Sequence, residues 1–135
     1  MPLLYPRGSH RIFACAALSL MVLSTAHAQS AAPAQEFPAD ATVPPAQALE
    51  AALSEQVFRA RFADGQQLRY QFKGSFLYVD TSRGGRDTGR WQAREGQLCV
   101  EFRQFPSGCA DVRQNDEGLW LRRNSTGEVI RLVRD

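Results

Sequence analysis

Residues 57–72 read VFRARFADGQQLRYQF, and the fold class turns on this stretch. Phe58, Ala60 and Phe62 alternate with Val57, Arg59 and Arg61. Beyond Asp64-Gly65, Leu68, Tyr70 and Phe72 alternate with Gln67, Arg69 and Gln71. A period of two sends successive side chains to opposite sheet faces, so both segments are strands with one apolar and one polar face. Aligning the apolar faces pairs Phe62 with Leu68, Ala60 with Tyr70 and Phe58 with Phe72. That register asks for an antiparallel hairpin with a three-residue turn centred on Gly65.

Glycine turns continue this rhythm downstream, at Lys73-Gly74, Gly84-Gly85, Glu95-Gly96, Ser107-Gly108, Glu117-Gly118 and Thr126-Gly127. They delimit about eight short strands, near 57–63, 67–73, 75–80, 89–94, 97–103, 108–113, 118–123 and 128–133. Short connections make sequence neighbours antiparallel partners. The expected fold is therefore mainly β, a meander that is either one curved sheet or a closed up-and-down barrel. Across Glu95-Gly96, Trp91 faces Val100 and Ala93 faces Leu98, which calls for a two-residue primed turn. One helix precedes the strands: Ala46, Leu49, Ala52 and Leu53 recur at helical spacing between about Ala46 and Glu55, with Thr42 as a candidate cap.

Cys99 and Cys109 fall opposite each other if LCVEF pairs with CADVR, with Leu98 facing Ala110. Both alternate with apolar residues, so a disulfide between them lies on the polar face, beside Glu101, Asp111 and Arg113. Closing that loop stabilises the fold by roughly 3 kcal/mol in the chain-entropy model. The spacing is not the C-x-x-C of redox motifs.

The N-terminus has the order of a secretory signal peptide. Arg7 and Arg11 precede an apolar run from Ile12 to Ala26, which ends in the small-x-small pattern Ala26-His27-Ala28. The run is about 15 residues, short of the roughly 20 that span a bilayer, so no transmembrane anchor is expected after cleavage. The domain reading is residues 1–28 as signal peptide, 29–45 as a disordered Pro/Ala-rich tether, and 46–135 as one β-rich domain. The expected location is periplasmic or secreted.

Cleavage removes Arg7 and Arg11 but no acid, so the net charge falls from +2 to zero. A neutral domain lacks the electrostatic footprint of a nucleic-acid binder. Both histidines, His10 and His27, and Cys15 also leave with the leader. Without histidine there is no Ser-His-Asp or Cys-His catalysis and no His-ligated metal. Catalytic residues, metal ligands and cofactors are accordingly expected to be none. Lys73 is the one lysine, and it falls in a turn.

The stretch Gly89-Arg90-Trp91, Glu95-Gly96-Gln97-Leu98-Cys99, Cys109-Ala110-Asp111-Val112 resembles a pattern of small secreted bacterial β domains of unknown function, G-x-W followed by [DE]-G-x-L-C and a second C. The likeness spans roughly residues 46–133 and implies a small exported β domain with no established catalytic residue. Where that pattern often has an aromatic after the second cysteine, this chain has Ala110. At the level of fold the chain is also similar to small periplasmic lysozyme inhibitors, disulfide-stapled β domains that insert a loop into an enzyme cleft, although their loop motif is absent here.

Four surface features are candidates for binding chemistry. The 81–88 loop, TSRGGRDT, offers Arg83 and Arg86 to a carboxylate or phosphate. Trp120 lies on the opposite face from Leu119 and Leu121, either as an exposed stacking surface or under the helix. Glu101 and Asp111 share a face on adjacent strands, a carboxylate pair for acid–base work or, more simply, one neutralised by Arg113 and Arg94. Arg59, Arg61, Arg69, Arg90 and Arg94 fall on one face, a basic stripe for anionic glycan or lipid headgroups or, more simply, a solvated sheet face. The expectation is a non-catalytic binding or interaction module of the bacterial cell envelope, with an unidentified envelope protein or small ligand as partner. The alternative is an inhibitor or immunity-type protein that blocks an envelope hydrolase through the 81–88 loop. Mass spectrometry of the protein recovered from its own envelope should find a species that starts at Gln29 and is two hydrogens short; an intact precursor there overturns the export reading.

Overall fold

A computed structural model describes residues 35–135. The expected signal peptide, residues 1–28, and the first part of the expected tether, 29–34, lie outside them. Helix α1 (Ala46–Leu53) leads into eight strands: β1 (Val57–Arg61), β2 (Gln67–Lys73), β3 (Phe76–Thr81), β4 (Arg86–Arg94), β5 (Gln97–Phe102), β6 (Gly108–Asn115), β7 (Gly118–Arg122) and β8 (Val129–Arg134). Each strand pairs antiparallel with the next, and β8 pairs with β1, so the meander closes into a barrel. Closure settles the choice that the alternation left open.

The apolar faces turn inward as the period of two requires. Phe58, Ala60, Phe72, Leu77, Val79, Leu98, Val100, Val112, Leu119, Leu121, Ile130 and Leu132 are all buried. Each large one stabilises the fold by roughly 1.5–3 kcal/mol. Leu49 and Leu53 stand one turn apart on α1 and are fully buried, so the helix adds to this core. The Phe72 ring meets Trp91 edge-on at 5.0 Å and Phe58 at 6.0 Å, and the Trp91 indole N–H donates to the Gly74 carbonyl at 3.0 Å.

Two registers match the alternation: Trp91 opposes Val100, and Cys99 opposes Cys109. The latter pair forms the disulfide, on the outer face beside Glu101 and Asp111. The first hairpin is shifted by two residues. Phe58 pairs with Tyr70 and Ala60 with Leu68, and the Phe62 N–H donates to the Gln66 carbonyl, so the three-residue turn is Ala63-Asp64-Gly65. Gly65, at φ +84°, takes the left-handed last position of that turn. A shift of two keeps every side chain on its face, which is why the alternation could not exclude it. The Glu95-Gly96 turn is not of the primed type: Gly96 has φ +63°, and Glu95 does not share a positive φ.

The helix ends at Leu53, not Glu55. Ser54 leaves the helical region, and Glu55 adopts φ +57°, which turns the chain into β1 and lets its carboxylate accept the Gly74 N–H at 2.7 Å. Thr42 does not cap the helix. It forms a bridge with Gln114 through N–H to carbonyl bonds in both directions, 2.8 and 2.9 Å, and Pro45 occupies the cap position. The described part of the expected tether, residues 35–45, thus lies along the barrel. Phe37 sits between the guanidinium groups of Arg113 and Arg122, 5.0 and 4.6 Å from its ring centre.

Gly89 faces inward on β4, where β5 crosses very close. A Cβ there would stand 2.6 Å from Val100 Cγ1 and 2.8 Å from the Glu101 carbonyl oxygen. Backbone cannot yield as a flexible side chain can, so Gly89→Ala is expected to cost about 1–3 kcal/mol in urea unfolding; an unchanged midpoint would show that the two strands can part without cost.

Candidate functional site

A meander places alternate connections at alternate ends of its barrel, and here the two ends differ. The turns at 74–75, 95–96 and 116–117 have two residues each and share their end with α1. The loops 62–66, 82–85, 103–107 and 123–128 are longer and gather at the other end. The helix end is filled by Leu49, Leu53, Phe58, Phe72 and Trp91. The loop end opens into a cavity of about 640 Å³, within the ~300–1,000 Å³ usual for small-molecule sites.

Eight strands enclose an interior that side chains either fill or leave to one small ligand. At the loop end they do not fill it. Leu68, Leu77, Val79, Leu98, Val100 and Leu121 form the wall, Phe102, Phe105 and Pro106 form one lip, and Gly85, Gly108 and Ala110 contribute little volume.

The polar groups of the cavity are few. Tyr70 pairs with Val79 on β3 and stands in the wall one inward position below the mouth. Burial pushes its phenol up to about 12, against a smaller opposing pull from the Arg123 charge, so it stays neutral and able to donate across the physiological range. Arg123 lies at the mouth, its guanidinium 4.2 Å above the Phe62 ring and within 3.3 Å of Gln66 Oε1. Arg83 also reaches the mouth, where it pairs with Asp64 at 3.4 Å. The lining holds two arginines and no acid.

Asp87 organises the lip. It is buried, in phase with Gly89 and Trp91 on β4, and its carboxylate accepts the N–H groups of Gln104 at 2.8 Å, Phe105 at 2.7 Å and Thr88 at 2.7 Å. Desolvation alone would raise its pKa. The backbone bonds from Phe105, Gln104, Thr88 and Arg103 outweigh that and hold the carboxyl below its ordinary 3.8. The 103–107 loop, and with it Phe105, is tied to β4 by this one side chain.

The residues singled out in the sequence do not converge. Half of the 81–88 segment is strand: β3 runs to Thr81 and β4 begins at Arg86, leaving 82–85 as the loop. Thr81 N–H donates to the Gly85 carbonyl and Ser82 N–H to that of Gln67, both within 2.9 Å, which holds this loop to its neighbours. Arg83 lines the cavity mouth. Arg86 points outward, 85% exposed, and pairs with Asp80 at 3.1 Å. Trp120 is half-buried on the outer face of β7 between Arg113 and Arg131, and its N–H donates to Asn115 Oδ1 at 3.0 Å. Glu101 and Asp111 are not cross-strand neighbours. Asp111 opposes Gln97, so the two acids stand four residues apart along β5, roughly 13 Å at the strand rise.

Tyr70, Asp87 and Arg123 carry the site's polar chemistry, and none was singled out by the sequence. Tyr70 reads as a core aromatic and Asp87 as a loop residue; only the small residues around Ala110 hint at space. No family model, curated protein or solved structure matches the chain.

The lowered pKa fixes the sign of a pH effect. Asp87 contributes its full stabilisation above pH 3.8 and loses it as pH falls through the lower folded-state value. Asp87→Asn should therefore flatten the acid limb of the stability curve and speed amide exchange at Gln104 and Phe105 at neutral pH. Exchange as slow as in the unsubstituted protein would mean that something else holds the lip.

Proposed function

We propose that this protein is a non-catalytic binding module that takes one small, largely apolar molecule into the open end of its barrel. The observation that carries this reading is the cavity itself: about 640 Å³ of unfilled barrel interior, walled by leucine and valine and reached from one end. Unfilled apolar volume forfeits packing, because its lining atoms lack partners on one side. A ligand that occupies it recovers those contacts.

The leader sequence supports an envelope location for this binding, and the Cys99–Cys109 disulfide is compatible with an oxidising compartment. Within the cavity the polar groups are the Tyr70 phenol and, toward the mouth, the Thr81 and Ser125 hydroxyls, the Gln66 and Asn124 amides and the Arg83 and Arg123 guanidinium groups, a set suited to holding a molecule. The alternative of an inhibitor that plugs a hydrolase with the 81–88 loop has less support. Its reach would come from the four residues 82–85, which are bonded back to Thr81 and Gln67.

Ala110→Phe should fill the cavity from its wall. Decanol binding, followed by calorimetry, is expected to weaken at least ~10-fold, or about 1.4 kcal/mol, with the thermal midpoint unchanged or raised. Undiminished decanol binding by a folded Ala110→Phe variant would move the ligand site elsewhere.

A further inference from the structure

We infer that the ligand is a single-chain amphiphile with an anionic head, seated tail-inward with its head against Arg123. This rests on the binding-cavity reading above and adds the chemistry of the ligand.

The charge at the mouth carries the inference. Each acid there already has a partner. Asp64 takes Arg83 at 3.4 Å and the Gln66 N–H at 2.9 Å. Glu128 takes the Ala63 N–H at 2.6 Å. Asp87 is bound to the backbone of the lip. Arg123, half-buried, forms no ion pair among the described residues, and its one side-chain hydrogen bond goes to the neutral Gln66 amide. A guanidinium beside apolar wall without a counter-charge favours an anion that brings its own apolar surface. The loop presents it firmly: the Arg123 N–H donates to the Glu128 carbonyl at 2.8 Å, and its carbonyl accepts the Gly127 N–H at 2.7 Å.

Below Arg123 the wall changes character. Tyr70 is the next polar group inward, and among the described residues its hydroxyl has no hydrogen-bond partner. Beneath it lie Leu77 and Leu98. Thr81 at the mouth and Leu77 at the floor are four residues apart on β3, roughly 13 Å along the strand. A head group at Arg123 can also accept from Tyr70, while an alkyl chain occupies the leucine-lined depth. The reverse orientation would bury the anion among leucines and leave the guanidinium unmatched.

The test is calorimetry of the purified protein with decanoate, decyl phosphate, decanol and decyltrimethylammonium, which share a chain and differ in head. At least one of the two anions should bind ~10-fold or more tighter than decanol, as a charged hydrogen bond implies. Whichever anion is tighter names the head. In the Arg123→Met variant that anion should bind no more tightly than decanol. Should Arg123→Met fail to fold, salt provides the second measurement: anion affinity must fall with ionic strength while decanol affinity holds. Equal binding of anions and decanol, or a preference for the ammonium, overturns the anionic head and leaves the cavity reading standing. Failure of all four to bind overturns both.

Discussion

The interior of this protein exists because β8 returns to β1. That seam is short: Phe58 pairs with Arg134 and Arg59 with Val133. It is reinforced by the Asp135 N–H donating to the Val57 carbonyl at 3.0 Å and by the Asp135 carboxylate, which holds Arg59 at 2.8 Å and Arg69 at 3.7 Å. At the mouth, Glu128 reaches across to the Ala63 N–H. Ion pairs as exposed as these are worth little individually. Their importance is positional, since they close the ring that converts a curved sheet with two open edges into a vessel with an inside.

Once the ring is closed, the lengths of the connections decide what the vessel does. Two-residue turns and a helix bearing the buried Leu49 and Leu53 occupy one end. Four longer loops surround the other, and small residues line the space beneath them. The buried Asp87 holds one of these loops, Asn124 holds another through the Cys109 carbonyl at 2.8 Å, and the disulfide stands behind that contact on the outer face. Binding chemistry and scaffold are therefore joined at the rim, where side chains such as Asp87 and Asn124 add to the backbone bonds that hold the loops.

The strands were legible in the sequence because burial on one face forces a period of two, and Phe58 to Phe72 show it almost without interruption. The Cys99–Cys109 pairing was legible for the same reason, since only one register puts Leu98 opposite Ala110. Alternation fixes parity and not position, so the first hairpin could slide by two residues at no cost in pattern. Asp87 was hidden because an inward-facing carboxylate breaks the alternation and reads as loop; its stabilising partners are backbone N–H groups 17 and 18 residues away. The cavity was less legible still. A sequence names the residues that face inward, but whether their volumes fill the space depends on the girth of the closed ring.

The seam is also the least local of the strand pairings. Every other strand pairing joins neighbours through a connection of a few residues, and such hairpins form on the microsecond scale. The cysteines, 10 residues apart, belong to one of these local units. The last pairing brings together residues 76 apart, as in the contact between Arg59 and Asp135. That closure must first meet a large loop-entropy cost, and only afterwards do its contacts repay it. Until it forms, the chain is a ribbon with its apolar face uncovered and two free edges, the state in which a β protein is most open to wrong pairing.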